Sequence, residues 1–92
     1  MPVFLFRGYR VKELQLLGTS ACHLCELAEG VLSHCLAQGY AWEVEVIDIA
    51  DDDVLISQWG EQIPVLLDPA SGAALCWPFD GEAAIAFAES AA

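Results

Sequence analysis

The residues best placed to do chemistry are the two cysteines of Cys22-His23-Leu24-Cys25. Cysteines three apart share one face of a helix, near enough for a small-ring disulfide. So small a ring adds little loop-closure stabilisation, so a bridge there would serve exchange. Position adds to spacing. The pair follows Glu13–Leu17, which reads as a strand, and the short link Gly18-Thr19-Ser20-Ala21. It should therefore open a helix, where free N–H groups and the helix dipole favour a thiolate. Cys22 is the expected attacking thiolate. Cys25, one turn inside, is the expected buried resolving thiol. Ser20, Ala21 and His23 are the active-site neighbours, with His23 a nearby proton donor or partial cation that favours the reduced form. Two other uses stay open: a metal site begun by Cys22, His23 and Cys25, and two ordinary small buried side chains. A closed zinc site needs four ligands, and the sequence offers no convincing fourth, so neither a metal nor another cofactor is expected.

The elements that must hold this pair can be read from hydrophobic period. Glu13–Leu17 alternates and runs into Gly18. Thr19 or Ser20 is the expected N-cap of a helix from about Cys22 to Ala37. Cys25, Ala28, Leu32, Cys35 and Leu36 repeat at the spacing of one buried face, which Leu24, Leu27 and Val31 widen. Trp42–Ile49 is a period-2 strand with Val44 and Val46 on one face and Glu43 and Glu45 on the other. Asp51-Asp52-Asp53 caps a short helix, Val54–Trp59. Val65-Leu66-Leu67 and Ala73–Trp77 flank the turn residues Asp68–Gly72 and form a hairpin. Asp80 caps a last helix, about Gly81–Glu89. The order β-α-β-α-β-β-α predicts an α/β fold. A right-handed crossover makes the first two strands parallel and the hairpin makes the last two antiparallel, giving a four-stranded mixed sheet flanked by helices.

Residues 1–13 differ in composition and read as an N-terminal extension to a single domain, 14–92. Pro2–Phe6 is β-prone and offers the alternative of an added edge strand. The three basic residues, Arg7, Arg10 and Lys12, all lie in this head, and all 14 carboxylates lie from Glu13 onward. The net charge is −11 and the chain is 57% hydrophobic. Such a chain can build an ordinary core without a disulfide framework. It offers no cationic footprint for nucleic acid or anionic lipid. Val3–Phe6 is too short for a signal-peptide core, and no run approaches the roughly 20 apolar residues of a membrane span. The expectation is a soluble cytoplasmic protein, monomeric, with reduced or catalytic thiols. Cys35 should be a core filler and His34 solvated. Cys76 should end its strand on the same side of the sheet as Cys22, about 10 Å away, and is a candidate auxiliary thiol.

Three segments together, Gly18–Glu26, Ile63-Pro64-Val65-Leu66 and Cys76-Trp77-Pro78-Phe79-Asp80, resemble the small bacterial glutaredoxin-like proteins of the thioredoxin superfamily. The resemblance spans about Leu14 to Glu89. It implies the thioredoxin fold, with Pro64 as the superfamily's cis-proline and the backbone of Ile63 pairing with substrate in a groove that Trp77 and Asp80 border. It also implies thiol-disulfide oxidoreductase activity on a disulfide-containing protein or small thiol. Two departures concern glutathione. Relatives that use it carry basic residues near the cysteines, whereas here no Lys or Arg follows Lys12. They also carry a Gly-Gly turn where this chain has Trp77-Pro78-Phe79-Asp80-Gly81. Tight glutathione binding is therefore not expected. A non-catalytic interaction domain on the same fold is the alternative to an enzyme.

Overall fold

The fold was taken from a computed structural model that describes residues 11–90. The expectations for most of the head, including an added strand at Pro2–Phe6, fall outside those residues. Seven elements follow in the expected order: β1 (Lys12–Gly18), α1 (His23–Ala37), β2 (Trp42–Asp48), α2 (Asp53–Trp59), β3 (Val65–Leu67), β4 (Ala74–Cys76) and α3 (Gly81–Ser90). They build one four-stranded sheet in the order β2-β1-β3-β4. β1 and β2 are parallel, while β3 is antiparallel to both β1 and β4.

β1 and β3 are the most buried strands. Both are interior, so both of their faces are covered. Leu14, Leu16 and Leu66 pack with Ala28 and Leu32 of α1, Phe79, and Ala84 and Ala88 of α3. Leu17 and Val65 point to the other face, where Ile49 joins them and Leu55, Trp59 and Ile63 pack alongside. Cys35 is fully buried, and its thiol lies 3.9 Å from the Gly81 carbonyl. Burial pushes this thiol's pKa up and keeps it protonated.

Two expectations about apolar faces need correction. Leu24 and Leu27, read as widening the buried face of α1, are each 45% exposed, and Leu36, read as part of that face, is 39% exposed. Val46, which shares one face of β2 with Val44, is 58% exposed. Leu36 and Val46 are exposed because α1 shares a core with α3, over β1 and β3, so β2 is left at the sheet edge with its α1-side face partly open. A period-2 or period-3 pattern records which residues share a face, but not how far a neighbouring layer reaches across it.

The end of the sheet away from the cysteine pair is held by a buried ion pair. The Lys12 ammonium donates to Asp68 at 3.0 Å, with the Asp68 side chain 1% exposed and Lys12 20%. Asp68 also accepts from the Ser71 hydroxyl and the Ala70 N–H, at 2.9 and 3.0 Å. It thereby shapes the turn to β4, where Gly72 has φ +80°, a conformation that favours glycine. These donors, Lys12 foremost, hold the Asp68 carboxyl below the ordinary aspartate range. The ion pair therefore stabilises the fold above the unfolded-state aspartate value of about 3.9, and that stabilisation fades as pH falls through the lowered folded-state value. Lys12→Met leaves the buried carboxylate without its cation and should cost about 2–3 kcal/mol at pH 7. In urea unfolding, the gap between variant and parent should narrow below about pH 4 as Asp68 protonates.

Candidate active site

The pair sits where β1 ends and α1 begins. Its sulfurs are at disulfide distance, and the Cα atoms are 5.2 Å apart. Cys22 is itself the N-cap of α1, with extended backbone at φ −126° and ψ 109°. Its Sγ accepts the Cys25 N–H at 3.1 Å. This replaces the expected cap at Thr19 or Ser20. The sulfur takes the place that a Ser or Asp oxygen usually fills, receiving one of the helix's unpaired amides. The two cysteines differ in access, Cys22 being half-buried and Cys25 only 3% exposed. Ser20, Ala21 and His23 are exposed around them. Glu26 stands in the first turn of the helix.

Gly18 is a site residue that strand and turn reasoning used only as a stop signal. A Cβ at this position would lie 2.8 Å from Cys25 Sγ and 3.2 Å from Cys25 Cβ. Both atoms belong to a short, buried side chain with no free length to withdraw. The missing side chain of Gly18 is what lets α1 dock so close to the end of β1. The one cue in sequence was a glycine ending an apolar strand directly before the pair.

The sheet register brings the remaining segments to the same end. Leu17, next to Gly18, is opposite Val65, and Val65 is opposite Cys76. Pro64 is buried just before β3, and the Ile63–Pro64 and Trp77–Pro78 peptides are both cis. The Pro64 carbonyl accepts the Trp77 N–H at 3.1 Å, tying the two segments together. Trp77 stacks edge-on against Phe79 at 5.0 Å and packs on the α1-side core. Asp80 is exposed and caps α3 by accepting the Ala83 N–H at 2.8 Å. Cys76 is an exposed free thiol 3.9 Å from Gln62 Oε1. Lys12 lies at the opposite end of β1 and is paired to Asp68 there, so this cation is spent away from the pair.

The sequence pattern of the family described as Glutaredoxin-like domain (DUF836) matches residues 13–87. The chain belongs to this family. It is similar to target protein XcR50 from X. campestris, solved by X-ray methods, with 35% identity and a TM-score of 0.73 over 84% of this chain and 96% of that one. The solution structure of XcR50 is also similar, at 35% identity and a TM-score of 0.68, covering 84% of this chain and 92% of that one. No curated protein matches the chain. The fold is thioredoxin-like, and within this glutaredoxin-like domain the Cys22–Cys25 pair occupies the start of α1. Among the described residues, no helix is long and apolar enough to cross a membrane.

Filling the space at Gly18 should act through the pair. Gly18→Ala must displace Cys25 and should destabilise the fold by about 1–3 kcal/mol in urea unfolding. The loss should be larger in the oxidised protein, where Cys25 is tethered to Cys22, than in the reduced protein, where its side chain can rotate.

Proposed function

We propose that this glutaredoxin-like domain is a thiol-disulfide oxidoreductase that works through Cys22 and Cys25. The observation that carries the reading is the capping contact. Cys22 Sγ takes a backbone N–H at 3.1 Å at the positive end of a 15-residue helix. That contact is worth most when the sulfur carries negative charge, so it stabilises the form that attacks. The buried partner one turn along is shielded from competing reagents and positioned to resolve.

The exchange balances without any bound group. The Cys22 thiolate attacks one sulfur of a substrate disulfide. A Cys22–substrate disulfide forms, and the substrate's other sulfur leaves as a thiolate that takes up a proton. Cys25, deprotonated, then attacks Cys22 Sγ. The Cys22–Cys25 bond forms and the second substrate thiol departs. Two electrons have passed from the pair to the substrate, and an external dithiol reductant returns them by the same steps reversed. In this reading the Ile63 backbone and Pro64 present the substrate strand, Trp77 and Asp80 border that groove, and exposed His23 supplies protons. The substrate is a disulfide-bearing protein or small thiol, handled by a monomer in the cytoplasm. Tight glutathione binding is not part of the reading, because the Lys12 ammonium is held by Asp68 at the far end of β1.

Trapping tests the division of labour. Cys25→Ser should accumulate a mixed disulfide with a model disulfide substrate, detected by intact mass, while Cys22→Ser should form none at that site. In the fully reduced protein at pH 7, iodoacetamide should modify Cys22 at least tenfold faster than Cys25. Equal rates at the two cysteines, or a trapped adduct on Cys25, would refute the assignment. Trapping in Cys25→Ser with and without Cys76→Ser tells whether Cys76 contributes an auxiliary thiol.

A further inference from the structure

The pair adjoins a groove that the exchange steps leave unused. It lies between α1 and the edge strand β2 and has a volume of about 350 Å³. Leu16, Gly18, Cys25 and Val46 line its base, and Glu26, Glu29 and Asp48 carry carboxylates along its sides. Past Glu29 and Val46 it continues into a smaller hollow of about 160 Å³ bounded by Leu32, Leu36 and Val44. The floor is apolar and open, with Val46 58% and Leu36 39% exposed. Singly exposed apolar residues need no explanation, but a continuous trough ending at a disulfide does.

We infer that this groove receives an extended, basic segment of the protein whose disulfide the pair exchanges. The inference rests on the reading under Proposed function and adds the class of substrate. Three observations choose the occupant. First, β2 pairs only with β1 among the described residues, so its outer edge is a template for one more strand. Second, Val46 and Asp48 share one face of β2 and line the groove with Glu26, Glu29 and Leu36, and alternate residues of an added strand reach that face, so an apolar side chain and, two residues on, a Lys or Arg can both enter it. Third, among the described residues the one ion pair is Lys12–Asp68, at the other end of β1, so the carboxylates of the groove have no cationic partner there. A second copy of the chain is a poor occupant. Its own edge carries Glu43 and Glu45, and at a net charge of −11 two copies repel.

Binding can be read without turnover, which separates this inference from the exchange reading. The probe is a cysteine-free peptide of repeated Leu-Thr-Lys-Thr, whose groove-facing positions carry Leu and Lys in turn, titrated into the oxidised full-length protein and followed by amide NMR shifts. Shifts should centre on Ser20, Glu29, Val46 and Asp48. The dissociation constant should rise at least fivefold in Glu26→Gln/Glu29→Gln, and by a similar factor between 20 and 300 mM salt, roughly the range over which screening of exposed charges becomes strong. Val46→Thr, which keeps the branched shape but removes apolar surface, should weaken binding about threefold. The inference is overturned if the shifts centre on Trp59 and Ile63 instead, if the double variant binds as the parent does, or if a peptide with Glu in place of Lys binds equally well. A concentration-dependent dimer that buries β2 would also overturn it. Peptide binding together with failure of the trapping experiment would retain the groove and reject the exchange chemistry.

Discussion

The structure turns on the approach of Cys25 to the backbone of Gly18. The buried sulfur lies where a side chain at residue 18 would begin, so the end of β1 and the first turn of α1 meet with no atom between them. Three consequences share that contact. Helix α1 is seated over the interior strands β1 and β3, where it meets α3. Its first turn comes to the sheet end where β3 begins and β4 finishes. And Cys22, one residue outside the helix, becomes the cap. The position that makes Cys22 the cap of α1 and the packing that hides Cys25 thus come from one steric allowance.

Charge is arranged along β1 with the same economy. Its first residue, Lys12, is held by a buried carboxylate, and its last, Gly18, touches the disulfide. The cation secures the turn between β3 and β4 instead of serving the site. An ion pair of this kind contributes little net stability relative to apolar packing, but removing one partner is costly because the other stays buried. Beside the pair, Glu26, Glu29 and Asp48 line the adjoining groove. Negative charge disfavours a neighbouring thiolate, whereas the amide donated to Cys22 and the helix dipole favour one.

Much of this arrangement was legible in the residues themselves. Element order, the mixed sheet and the parallel and antiparallel pairings followed from period and turn chemistry, because Leu16-Leu17, Val65-Leu66-Leu67 and Asp68–Gly72 are unambiguous. The Cys22–Cys25 pair was legible because its spacing is local. The remainder depended on tertiary placement. Nothing in Thr19-Ser20-Ala21-Cys22 announces that a sulfur, rather than a hydroxyl, caps α1. The exposure of Leu24, Leu27 and Val46 could not be read, since an apolar residue at the right period looks identical under a neighbouring layer and beyond its rim. Asp68 reads as a turn residue, and its bond to a lysine 56 positions earlier is a long-range contact with no local trace.

The core that α1 shares with α3 leaves part of β2 uncovered. A helix centred over β1 and β2 would have covered Val44 and Val46 and closed the trough beside the pair. Covering it would remove apolar area from water, at about 25 cal/mol for each Å², so the open trough is a stability cost in the isolated domain. The cost falls beside a cysteine pair rather than at a random stretch of surface. Among the described residues, the sheet edge there has unpaired strand backbone on its outer side, an apolar floor, and carboxylates that discourage pairing with another copy of the same acidic chain. A surface that resists self-association while leaving strand-pairing groups free is selective for a partner of opposite charge. On the proposed exchange reading, such selectivity would supply a part of recognition that two sulfurs cannot, because a thiolate alone does not distinguish one disulfide from another.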